Sequence, residues 1–256
     1  MTESIITELE ALRAGDLPTH GGRTLAYVYD SGLAEVDALG TTALTMFSSA
    51  NGLDPTAFPS LLAMEKFLVG FAKPLFHAPA STVGTVTSGG TESILLAVQS
   101  ARDAHPEIDR PAMILPTSIH AAFHKAAHYF GVERIMVEVD PVTRKADVAA
   151  MGVALRENRD RVVLMAASTP SYAHGVIDPI AELAPLAQSA GVRFHVDACI
   201  GGWVLPFADR AEEPWDFAVE GVTSISADLH KYAYTPKGVS MLLHRTPQLR
   251  KPQFFA

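Results

Sequence analysis

The apolar positions of this chain change their period near residue 83. Upstream they recur at helical spacing. Ile5, Ile6, Leu9 and Leu12 predict a helix over residues 2–14, stopping near Gly15. Further helices are predicted over 31–45 and, rich in Leu and Phe, over 59–76. Loops at 18–22 and at Ser48-Ser49-Ala50-Asn51-Gly52 separate them. Downstream, short apolar runs alternate with helical ones. Strands are predicted at 83–87, 112–115, 134–139, 162–167, 192–196, 222–226 and 239–243, the last as an antiparallel edge. Helices are predicted at 91–104, 120–130, 147–157 and 180–190, with Gly131 and Gly191 as stops. This alternation predicts an α/β fold, a mostly parallel sheet with helices on both faces. The expected organisation is an N-terminal helical segment and loop over 1–58, then one larger domain over 59–256.

Composition narrows the classes. With 256 residues, 48% of them hydrophobic, the chain can bury its own core. A net charge of -8 leaves no basic stripe for nucleic acid. Cys199 is the only cysteine, which excludes an intrachain disulfide. The N-terminus is acidic and amphipathic, unlike a targeting peptide, and no apolar run approaches the roughly 18 residues of a membrane span. A cytoplasmic protein is expected. The run Gln253-Phe254-Phe255-Ala256 reads as the interior of a continuing fold, so a partial chain is expected.

Three motifs carry chemistry. Ser224-Ile225-Ser226-Ala227-Asp228-Leu229-His230-Lys231-Tyr232 sets a lysine on a turn after a β-branched run. His195-Val196-Asp197-Ala198 ends an apolar strand with a carboxylate, at the sheet edge where α/β proteins bind ligands. Ser88-Gly89-Gly90-Thr91-Glu92-Ser93 opens a helix with a glycine turn. Together these are the groups a pyridoxal-phosphate site needs: a Schiff-base lysine, a partner for the pyridinium nitrogen and a phosphate cradle. His230 and Lys237 stand near Lys231 and are expected to lower its pKa.

Each motif also has a plainer reading. Lys231 alone would be a solvated lysine. Asp197 would be an N-cap, although Gly201-Gly202 disfavours that. The glycine turn, which lacks the lysine of a P-loop, would be a capping box. His120, at another strand end, can stack on a cofactor ring. His124 and His128 follow at metal-ligand spacing, but no companion Glu accompanies them, so they read as ordinary helix residues. Ser168, Thr169, Tyr172 and His174 belong to a loop that either lines the pocket or caps the next helix. Cys199 reads as a small buried group beside the site, without a base to make it a nucleophile. No G-x-G-x-x-G supports a nicotinamide site.

At these residues the chain resembles the pyridoxal-phosphate enzymes of the group II decarboxylase family, in particular its sphingosine-1-phosphate lyase branch. Residues 87–94, 195–199, 224–238 and Gly175-Val176-Ile177-Asp178-Pro179 look like its signatures. The resemblance implies a fold-type I large domain, a homodimer with a shared active site, and carbon–carbon lyase activity on an amine, amino-acid or amino-alcohol substrate. It implies Lys231, Asp197 and His120 as catalytic residues. Gly90, Thr91, Cys199 and His230 join them in binding the cofactor. Asn51, Lys237 and Tyr172 fall on the substrate side, and no metal is expected. Two departures stand out. Asn51-Gly52-Leu53-Asp54 replaces the branch's Asn-Pro-Leu-His, setting a carboxylate where a histidine is expected to help hold a substrate phosphate. The family's C-terminal domain does not follow Lys231 in this chain. A non-catalytic binding or dimerisation module is therefore the alternative.

Overall fold

The computed structural model describes residues 2–24, 26–208 and 213–254. Phe255 and Ala256 of the terminal aromatic run lie outside the described residues. A seven-stranded sheet holds the fold together, in the order β1-β7-β6-β5-β4-β2-β3. Its strands are β1 (Val83–Thr87), β2 (Ala112–Pro116), β3 (Glu133–Val137), β4 (Val162–Ser168), β5 (Arg193–Asp197), β6 (Val222–Ala227) and β7 (Ser240–His244). All pairings among β2 to β6 are parallel, while β7 runs antiparallel to both β1 and β6. Six strands therefore share one direction and β7 alone is reversed.

The antiparallel reading of the last strand holds, but its position at an edge is corrected. β7 lies inside the sheet, hydrogen-bonded on both sides, and all five of its residues are buried. Burial on both faces is why it reads Ser-Met-Leu-Leu-His without the polar alternation of an edge.

The described residues form eight α-helices: α1 (Thr2–Arg13), α2 (Ala34–Met46), α3 (Pro59–Leu75), α4 (Gly90–Asp103), α5 (Ala122–Phe130), α6 (Val148–Glu157), α7 (Ile180–Ala190) and α8 (Pro247–Arg250). The twofold period of the strands sorts the core into two layers. Ile114, Met165, Ala167, Phe194 and Val196 face α3, α6 and α7. Met113, Leu115, Leu164 and Ala166 face α4 and α5. Helices α5 and α7 end on Gly131 and Gly191, whose left-handed φ of 64° and 74° an L side chain resists. Asp147 caps α6 by accepting the Ala150 N–H at 2.9 Å. Close packing of α3 on β1 needs Gly84, because a Cβ there would stand 2.6 Å from Leu243 Cδ2 and 2.8 Å from Val69 Cγ2.

The first two helices differ in kind from the rest. Neither α1 nor α2 buries a residue, and Ile5, Ile6, Leu9 and Leu12 are at least half exposed. Short α8 was not evident from periodicity. Its signals are Thr246, which accepts the Leu249 N–H at 3.4 Å, and Pro247 at the first position. No described helix is long and apolar enough to cross a membrane.

Candidate active site

Because β1, β2, β5 and β6 run the same way, their carboxyl ends meet at one edge of the sheet. The turn after β1 delivers Ser88 to Thr91, the loop after β2 delivers His120, β5 ends in Asp197, and the loop after β6 carries Asp228, His230 and Lys231. These residues line one cavity of about 340 Å³ together with Cys199. The sequence motifs named above thus converge on a single place.

Lys231 is mostly buried there, and its Nζ lies 2.9 Å from Asp228 Oδ2. Burial works against its charge, but Cys199, Asp228 and Asp197 outweigh burial and hold its pKa above the ordinary lysine value. The sequence expectation of a lowered pKa is therefore corrected. His230 and Lys237, its neighbours in sequence, do not decide the shift; Cys199 and Asp228, which the fold packs against the amine, do.

His230 is neutral near neutral pH, since burial pushes its pKa down. Its Nδ1 accepts the Val239 N–H at 3.1 Å, which leaves the proton on Nε2, at the rim of the cavity and 3.6 Å from Asp228 Oδ2. Asp197 Oδ1 accepts the Cys199 N–H at 3.1 Å, and the carboxylate lines the cavity. Burial, first, and the Asp197 and Asp228 carboxylates push the Cys199 thiol well up, and its Sγ donates to Ser226 Oγ at 3.3 Å. A thiol so held is no nucleophile. Ser226 continues to His195 Nε2 at 3.1 Å, and His195 Nδ1 to Ser224 at 2.8 Å, a fully buried polar chain beneath the site.

The glycine turn is tied down by Glu92 rather than by its N-cap. Glu92 Oε2 accepts the Ser88 N–H at 2.6 Å, but the N-cap is Gly89, whose lack of a side chain rules out a capping box. The helix start is still open to the cavity through Gly90 and Thr91. A Cβ on Gly90 would stand 2.7 and 2.8 Å from the Asp228 oxygens and 2.8 Å from Cys199 Sγ. Only glycine leaves that space free.

The remaining predicted residues lie outside this cavity or at its rim. His120 is exposed and accepts the Ala122 N–H at Nδ1, 3.2 Å. It lines both this cavity and a neighbouring one of about 280 Å³ with Tyr172 and His174, and Tyr172 meets it edge-on at 6.4 Å. Ser168 and Thr169 are buried. Lys237 Nζ sits 4.7 Å over the Tyr29 ring and lines a mostly apolar cavity under α2 and α3. Asn51 is exposed and accepts the Leu53 N–H, while Asp54 accepts from the Thr56 N–H and hydroxyl. Neither lines the cavity of Lys231. His124 Nδ1 takes an Arg134 N–H at 2.9 Å, a local contact.

The comparisons accord with this arrangement. The pyridoxal-dependent decarboxylase conserved domain matches residues 19–254. The chain belongs to that decarboxylase family. Among members of the family, the sphingosine-1-phosphate lyase of Dictyostelium discoideum is 39% identical over 99% of this chain and 48% of its own length. Sphingosine-1-phosphate lyase 1 of Rattus norvegicus is 41% identical over 99% of the chain and 45% of its own. The solved Burkholderia pseudomallei sphingosine-1-phosphate lyase superposes with a TM-score of 0.91 at 35% identity, covering all of this chain and 61% of that one. Lactobacillus brevis glutamate decarboxylase, at 23% identity and TM-score 0.81, shares the fold. The chain spans about half the length of the curated relatives it matches. The pyridoxal cofactor of the family fits the residues present: an amine, a carboxylate, an open helix start and a glycine cradle around one small cavity.

Proposed function

We propose that this chain carries the cofactor site of a pyridoxal-phosphate-dependent carbon–carbon lyase, with residues 59–256 as the cofactor-binding domain. The observation that carries this reading is the burial of Lys231 Nζ in the same cavity as Asp197 and the α4 start. When bound, pyridoxal phosphate supplies an electron sink for breaking a bond at the substrate's amine carbon. Lys231 would hold the cofactor at its aldehyde through the buried amine. Asp197 is placed to keep a pyridine nitrogen protonated. Gly90, Thr91 and the Nε2–H of His230 are the donors for the phosphate. His120 would help hold the cofactor ring, and Tyr172 beside it would extend the site toward a substrate.

The substrate is a small amine, either an amino acid or an amino alcohol. The lyase names of relatives at 35–41% identity favour the amino alcohol. Asn51 and Lys237 would contact it. Since α1 and α2 bury nothing within one chain, a homodimer that covers them and shares its active site belongs to the same proposal, as does a cytoplasmic setting. The test is visible absorbance of the protein with added pyridoxal phosphate, beside Lys231→Ala. A band in the wild type that the variant lacks is expected; no band in folded protein would overturn the proposal. Turnover of a phosphorylated amino alcohol set against that of an amino acid then separates the two substrate classes.

A further inference from the structure

Asp228 has no assigned part in the reading above, yet it is the charged group nearest the amine. It is 2% exposed, and its Oδ1 is buried without a hydrogen-bond partner among the described residues. Its Oδ2 meets Lys231 Nζ at 2.9 Å. The backbone holds it firmly: the Asp228 N–H donates to Cys199 O at 3.4 Å, and its own carbonyl accepts the Lys231 N–H at 3.3 Å. A carboxylate buried at this depth with one oxygen unsatisfied costs free energy and is retained only where something else needs it.

We propose that Asp228 is the positioning residue of Lys231, the carboxylate that aims its amine into the cavity and keeps the proton on Nζ until a ligand arrives. The inference rests on the cofactor reading for its purpose but not for its geometry. Lys231 carries four terminal torsions and three donors, so an unpaired amine would sample many directions. The 2.9 Å contact, with the lysine three residues after the aspartate on one turn, selects one of them. The other groups around the amine do not replace it. Asp197 and the Cys199 thiol approach from the end of β5, Tyr29 from the N-terminal segment, and Glu92 is spent on the Ser88 N–H. His230, Tyr232 and Lys237 share the loop, and neither His230 nor Lys237 can attract an ammonium ion. Among the described residues, Asp228 is the one that forms an ion pair with it. Removing an opposite charge at this range lowers a lysine pKa by about 1–3 units.

The experiment follows the pH dependence of Lys231 labelling by trinitrobenzenesulfonate in cofactor-free protein, read peptide by peptide, with the exposed Lys66 and Lys251 as internal references. The wild-type midpoint for Lys231 should lie above those references. In Asp228→Asn it should fall by about one pH unit or more, so that labelling below the midpoint speeds up about tenfold or more. Capture of pyridoxal phosphate, followed in parallel, should show the same shift. An unchanged midpoint in folded Asp228→Asn overturns the inference while wild-type capture leaves the cofactor reading standing. A shifted midpoint in a protein that captures no cofactor supports the pairing and removes the cofactor reading instead. Should Asp228→Asn fail to fold, a wild-type midpoint below the references still overturns the proposal.

Discussion

Acid should weaken this fold through two histidines that the sheet keeps neutral. His195 is fully enclosed between Ser224, Ser226 and Phe123, and burial, then His244, lowers its pKa to about 3. His244 at the end of β7 is lowered to about 3 by burial, then by Arg193, and its Nε2 is buried without a hydrogen-bond partner among the described residues. In the unfolded chain each titrates near the ordinary 6.5. Between those values the unfolded state binds more protons than the folded one, so stability falls as pH falls below about 6.5. Each histidine costs about 1.4 kcal/mol per pH unit in that window, or about 2 kcal/mol at pH 5. The pair should remove about 4 kcal/mol between about pH 7 and pH 5, a large share of a typical domain's stability. His124 and His230 are lowered by burial and act in the same direction. Asp178 is raised by burial, which stabilises the fold as pH falls and opposes part of the loss. Urea unfolding at the two pH values measures the difference, and His244→Leu should shrink it by about 2 kcal/mol. Equal stability at both pH values would refute the reasoning, because it would require a charged histidine in the sheet at no cost.

Two further outcomes are expected. Phe76 is fully buried against Trp203 at 5.4 Å and Trp215 at 5.8 Å, so Phe76→Ala should cost about 3–5 kcal/mol in urea unfolding; a loss under about 1 kcal/mol would mean that this aromatic cluster repacks freely. Gly90→Val drives its side chain into Asp228 and Cys199 and should abolish capture of pyridoxal phosphate, with a stability loss of about 1–3 kcal/mol that leaves the protein folded. Undiminished capture in that variant would place the ligand elsewhere.

The elements legible in the sequence are those whose surroundings are uniform. β4 is buried on both faces along its length, so its apolar run announces a central strand. The helices over the sheet show their stripes and glycine stops for the same reason. What a single chain does not display is which strands become neighbours, and β7 was therefore placed at an edge it does not occupy. The site shows the same division. Lys231, Asp197 and Gly90 stand at strand ends, where topology alone gathers them. The burial of Asp228 is not legible from its place one turn before a lysine, because it arises from Cys199 at the end of β5 and Gly90 at the start of α4, which are distant in sequence. Asn51 and Lys237 fall outside the cavity because Leu53 and Tyr29 engage them locally.

The reversed strand has a consequence for how the protein comes into being. Val83 on β1 pairs with His244 on β7, so the first strand of the sheet has no neighbour until nearly all the described chain exists. The other strands can assemble progressively from β2 to β6, while β1 waits at the cost of closing a very long loop. The cavity straddles that seam: Gly90 and Thr91 follow β1, whereas Asp228 and Lys231 precede β7. During synthesis, β1 therefore joins the sheet only in the closing step of its assembly, whereas α4 also packs on β4, β5 and β6. A nascent chain stalled before residue 240 would hold a half-built sheet with β1 unpaired, and cofactor retention would report completion of the fold.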